Sequence, residues 1–124
     1  MLRRLVVTTA MACLAAACGS SNDPAPSPPV AGSTITITSS GVSPKNLLVS
    51  PGTQVTFTNN DSRNHLMNSD PHPDHTDCPA INDVGALVPG QSKQTGNLNV
   101  VKTCGYHDHD QFANMSLQGT ITIR

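Results

Sequence analysis

The sequence predicts an all-β protein, a Greek-key β-sandwich of seven to eight strands, and three observations carry that expectation. Short segments alternate with period two, as in Ser33-Thr34-Ile35-Thr36-Ile37-Thr38, where Ile35 and Ile37 share one face and threonines the other. Clusters of Gly, Pro, Asn, Asp and Ser separate such segments at short intervals. Beyond residue 17, no stretch of ten or more residues shows convincing helical periodicity.

From the N-terminus, residues 1–17 read as a signal peptide: Arg3 and Arg4 precede an apolar run, Leu5 to Ala17, that is too short to span a membrane. Leu14-Ala15-Ala16-Ala17-Cys18-Gly19 resembles a bacterial lipobox, which implies cleavage before Cys18 and lipidation of that cysteine. Plain secretion is the alternative. Either route takes the chain out of the cytoplasm: lipidated, it belongs to the cell envelope, facing the periplasm or the exterior with the lipid as its only membrane contact, and otherwise it is secreted. Residues 18–32 carry Asp23-Pro24-Ala25-Pro26-Ser27-Pro28-Pro29 and read as an extended Pro/Ser-rich tether. The folded domain is expected over residues 33–124.

Within it, Ser33–Thr38, Asn46–Ser50, Gln54–Asn59, His65–Asn68, Ala86–Val88, Ser92–Leu98, Val101–Tyr106 and Gly119–Arg124 have strand character. Ser50-Pro51-Gly52-Thr53, Asn59-Asn60-Asp61-Ser62 and Val88-Pro89-Gly90-Gln91 supply the turns between them. Ser69 to Asp83 is the longest segment without strand character, and a loop of that length in a small domain is usually functional or cross-linked.

Composition narrows the function. The 124 residues include 12% charged residues, a formal charge of −1 and no Trp. Its seven Lys and Arg form no cluster with aromatics, so nucleic acid is excluded as a partner. No Ser/His/Asp order with a nucleophile elbow and no phosphate-binding glycine loop is present, so the expectation is a monomeric binding protein and not an enzyme. All five histidines lie between His65 and His109, interspersed with aspartates, and the chain contains no Glu. Clustered His and Asp in a charge-poor chain point to metal chemistry. Loss of Cys13 with the leader and use of Cys18 by lipid leave Cys78 and Cys104 in the domain. In an oxidising compartment such a pair more often forms a disulfide than stays free.

Gly41 to Asp61, with its Ser50-Pro51-Gly52 turn, Val55-Thr56-Phe57 strand and Asn59-Asn60 pair followed by His65, resembles the cupredoxins, the plastocyanin and azurin family of small copper proteins. Cys104-Gly105-Tyr106-His107 is similar to that family's Cys-x-x-His ligand loop, and Gly119-Thr120-Ile121-Thr122-Ile123 to its closing strand. The resemblance covers Ser33 to Arg124. It implies one copper ion, held by His65, the Cys104 thiolate, His107 and the thioether of Met115, in a protein that passes single electrons to a redox partner or holds copper in the envelope. Thiolate favours Cu(I), imidazole serves both oxidation states, and a long axial bond limits rearrangement on electron transfer.

Three departures leave alternatives open. Met115 follows His107 by eight positions, a longer loop than in plastocyanin, and His109 stands at azurin-like spacing from Cys104. A Cys78–Cys104 disulfide would remove the thiolate and leave copper to histidines. Asp70-Pro71-His72-Pro73-Asp74-His75-Thr76-Asp77-Cys78 adds two further histidines, and His75, Cys78, Cys104 and His107 together offer a tetrahedral zinc set. The competing expectations are therefore a non-redox Cu(II) or Zn(II) binder and a metal-free scaffold of the same fold.

Overall fold

A computed structural model describes Gly19 and residues 24–124; the leader, Cys13 and Cys18 lie outside the described residues. Ten strands form two packed sheets: β1 (Val30–Ala31), β2 (Thr34–Thr38), β3 (Gly41–Ser43), β4 (Asn46–Val49), β5 (Thr56–Asn59), β6 (His65–Ser69), β7 (Gly85–Leu87), β8 (Ser92–Gln94), β9 (Thr103–Asp108) and β10 (Gly119–Ile123). One sheet has the order β1-β4-β10-β9-β6-β7 and the other β3-β2-β5-β8. The eight expected strands are all present. Two short ones join them, β3 after the Ser39-Ser40 turn and β1 in what the sequence marks as tether.

Alternation works as elementary geometry requires. Ile35 and Ile37 of β2 and Phe57 of β5 project inward from one sheet to meet Leu47, Met67, Tyr106, Ile121 and Ile123 of the other, all buried. The Phe57 and Tyr106 rings meet edge to face at 5.2 Å, a favoured aromatic geometry. β1 pairs in parallel with β4, and Asn46 Nδ2 donates to the Ser27 carbonyl at 2.7 Å, so the last part of the tether is sewn to the sheet edge.

Two features place the functional residues. β9 runs to Asp108, two residues further than its sequence suggests, and pairs with β6 as Ser69↔Tyr106, Asn68↔His107 and Met67↔Asp108. The segment between β6 and β7 folds back over this pair of strands and ends in a 3-10 turn, Pro79–Asp83, anchored in the core by Ile81.

Candidate metal centre

In an extended strand consecutive side chains take opposite faces. In β9, Cys104, Tyr106 and Asp108 therefore point into the sandwich while Gly105 and His107 point outward. His107 is nonetheless only 2% exposed, because the loop from Asp70 to Cys78 lies across that outer face. Several contacts hold the loop there. The Asp70 N–H donates to the Gly105 carbonyl at 3.0 Å, the Gly105 N–H to the Asp77 carboxylate at 3.3 Å, and Lys102 Nζ to the same carboxylate at 2.6 Å. A disulfide joins Cys78 to Cys104, with the two Cα atoms 5.9 Å apart. Gly105 permits this close approach, since a Cβ at that position would run into the Asp70 carboxylate.

Inside the loop, the His75 N–H closes onto the Pro71 carbonyl at 2.8 Å. His75 itself has φ +55°, a left-handed conformation uncommon for a residue with a Cβ, and its carbonyl accepts from Asn82 Nδ2 at 2.9 Å. The result turns His72 and His75 toward His107 and toward His109, which begins the 3-10 turn after β9. Each of the four imidazoles contributes one nitrogen to a group whose members all lie within 4.8 Å of one another. His72 is 4.7 Å from His109 and 5.5 Å from His107, ring centre to ring centre, and His75 is 4.8 Å and 5.1 Å from the same two rings. Phe112 stacks against His72, at 4.1 Å between ring centres and 7° from parallel.

The hydrogen bonds sort the nitrogens. His107 Nδ1 lies 2.6 Å from Asp70 Oδ1, so it carries the proton and donates, which leaves Nε2 with a lone pair. That Nε2 is buried and has no hydrogen-bond partner, and His72 Nδ1 is in the same condition. His109 Nδ1 and His75 Nε2 stand 3.0 Å apart, where only one can donate to the other. Partial burial first, and the neighbouring imidazoles second, hold His72 and His75 below the ordinary histidine value of 6.5. Four crowded imidazoles, two of them with a buried nitrogen that has no partner, are a donor set for a borderline cation, and imidazole suits Cu, Zn and Ni.

The structure separates the residues that the sequence had grouped. His65 begins β6 on the inner face, fully buried, with Nδ1 2.7 Å from Asp108 Oδ2 and Nε2 3.0 Å from Asp61 Oδ2. Both of its nitrogens are committed to carboxylates. Cys104 faces the core and is taken up by Cys78, so neither sulfur is a thiolate donor and the His75, Cys78, Cys104 and His107 tetrahedral set is not formed. Met115 opens the 3-10 turn before β10 with its side chain 71% exposed, while its carbonyl accepts from Lys45 Nζ at 2.8 Å. His107 and its reserve His109 come together with His72 and His75 instead. Asp70 and Phe112 were not among the candidates; period-two alternation from Ser69, which puts Asp70 on the face of His107, was the clue to the first.

No protein-family model and no curated protein matches this sequence. Solved structures do match. A purple cupredoxin from Nitrosopumilus maritimus superposes with a TM-score of 0.56 at 22% identity, over 75% of this chain and 100% of its own. Plastocyanin from Dryopteris crassirhizoma gives 0.57 at 17% identity over 73% and 99%, and a mutant amicyanin in its Cu(I) form gives 0.55 at 16% over 73% and 80%. The chain has the cupredoxin fold. On this cupredoxin sandwich, the expected strand histidine is enclosed by Asp61 and Asp108, and the histidine cluster stands on the outer face of the six-stranded sheet beneath its own loop.

Proposed function

We propose that this is an exported copper-binding protein of the cell envelope, which holds one Cu(II) ion through His72, His75, His107 and His109. The observation that carries this reading is the pair of buried, unpartnered imidazole nitrogens, His107 Nε2 and His72 Nδ1, grouped with two further imidazoles. Among divalent first-row ions an all-nitrogen site favours Cu(II) in the Irving–Williams order, and removal of both sulfurs takes away the softer donors that would favour Cu(I) or a mixed zinc set. Bound copper would supply a Cu(II)/Cu(I) couple. The chain's own residues fix the imidazole tautomer through Asp70, restrain the His72 ring against Phe112 and keep water from His107. This is a monomeric holder of copper rather than an enzyme.

Arg3, Arg4 and the apolar run to Ala17 support export, with Cys18 as the lipid-bearing residue and the membrane touched only through that lipid. The cupredoxin fold favours a second reading, single-electron exchange with a redox partner at the same ion.

Adding Cu(II) to the purified full chain tests the assignment. A 1:1 complex with a weak ligand-field band and four-nitrogen hyperfine structure in electron paramagnetic resonance is expected, and His107→Ala abolishes it. An intense thiolate-to-copper absorption, or no stoichiometric uptake, overturns it.

A further inference from the structure

The four imidazoles come from two segments of chain, and one covalent bond ties those segments together. His72 and His75 precede Cys78 by six and three positions; His107 and His109 follow Cys104 by three and five. At its start the loop is fixed by the β6–β9 pairing and the Asp70–Gly105 backbone bond. At its end the disulfide is the one covalent tie; beside it stand the buried Cys78 N–H to Ser69 Oγ bond at 2.8 Å, the Asp77 N–H to Asp70 carbonyl bond at 2.8 Å, the Asn82 Nδ2 to His75 carbonyl bond at 2.9 Å, and the Lys102–Asp77 pair, which is one-third exposed and therefore contributes little. Beyond Cys78 the 3-10 turn keeps Ile81 in the core, so the strand that follows is anchored independently of the disulfide, whereas the two pairs of imidazoles are joined covalently only through it.

The bond is also reachable from one side. Cys104 is fully buried, whereas Cys78 lines an apolar groove of about 270 Å³ with Ala80, Leu98, Val100 and Ile123, and Lys102 stands at its rim. Resting on the copper-binding reading above, we propose that the Cys78–Cys104 disulfide sets the metal affinity of the four-histidine site, and that a dithiol entering this groove releases the ion by reducing it. One thiolate of the dithiol attacks Cys78 Sγ, the Sγ–Sγ bond breaks, and Cys104 leaves as a thiolate that takes up a proton. The second thiol then attacks the mixed disulfide and frees Cys78, so the dithiol is oxidised by two electrons and the protein gains two thiols. The freed Cys104 points to the opposite face of β9 from His107, so it does not replace the lost imidazoles.

Linkage makes the effect reciprocal: a disulfide that tightens metal binding is itself harder to reduce when metal is bound. The test uses the full chain with Co(II), which does not oxidise thiols and whose visible bands report the ligands. The oxidised protein binds Co(II), while the protein reduced with dithiothreitol and freed of it under argon, and the C78A/C104A variant, bind about tenfold more weakly or worse at the imidazoles. The midpoint potential of the disulfide against a glutathione couple falls with saturating Co(II), by about 30 mV for each tenfold in affinity. This second measurement needs no variant to fold, and His72→Ala removes the shift. Equal affinity in the oxidised and reduced proteins, or a midpoint that stays or rises with metal, overturns the proposal. Failure of the oxidised protein to take up either Co(II) or Cu(II) overturns the four-histidine assignment itself.

Discussion

Asp70 Oδ1 lies 2.6 Å from His107 Nδ1, and this single contact decides which nitrogen of His107 is available to a metal. A carboxylate behind a ligand imidazole fixes its tautomer and raises its basicity, and its loss typically costs about 10–100-fold in metal affinity. Asp70→Asn should therefore weaken Cu(II) binding by about that factor, measured by chelator competition, with the melting temperature of the metal-free protein little changed.

Gly105→Ala reaches the same contact from below. Its Cβ would collide with the Asp70 carboxylate, which is half exposed and free to swing outward. The variant should fold, and its affinity should approach that of Asp70→Asn; combining the two should add little, because both act through one hydrogen bond.

Phe112 holds His72 by stacking. An aromatic pair of this kind contributes about 0.5–1.5 kcal/mol beyond its buried area. Phe112→Ala should accordingly weaken copper binding by about 2–10-fold, visible as faster release of the ion to a chelator, with the ligand-field band unmoved because all four nitrogens remain.

His65 should behave in the opposite manner. Its removal leaves Asp61 and Asp108 buried without their shared partner, a loss of about 3 kcal/mol or more. His65→Ala should lower the melting temperature by more than roughly 10 °C while four-nitrogen copper binding persists at temperatures where the variant is folded. A variant of unchanged stability that no longer binds copper would return His65 to the metal site.

Acidification should loosen the metal-free protein through His72 and His75. Their folded values lie below 6.5, so in the range beneath 6.5 the unfolded chain binds protons that the folded chain refuses. Stability is thus complete above that value and falls as pH drops through the folded ones. Melting temperatures recorded from pH 7 downward should decline, and the double variant His72→Ala, His75→Ala should show a shallower decline.

The sandwich was legible in the sequence because period-two alternation is local: Thr34–Thr38 and Gly119–Ile123 declare their faces without any neighbour. β1 was hidden in Pro-rich chain, since two residues that pair only at a sheet edge leave no pattern. Cys104 and His107 look like co-ligands when β9 is ended at Tyr106. Once the strand runs on to Asp108, their separation of three puts them on opposite faces, and the cysteine goes to Cys78. The four-histidine group depends on a loop folding over the outside of a sheet, a long-range event that spacing along the chain does not encode. The count of cysteines left two fates open for Cys104, copper ligand or partner of Cys78, and only the folded chain decides for the second.

Tyr106 sits between these parts. It is the one tyrosine in a chain without tryptophan, buried against Phe57, with its neighbour His107 on the metal face and Cys104 two residues before it. The molecule therefore carries its one tyrosine, the dominant intrinsic fluorophore, at the junction of the cross-link and the imidazoles. Paramagnetic Cu(II) should darken its ultraviolet emission, release of the ion should restore it, and filling of the site can be followed in the unlabelled protein by light alone.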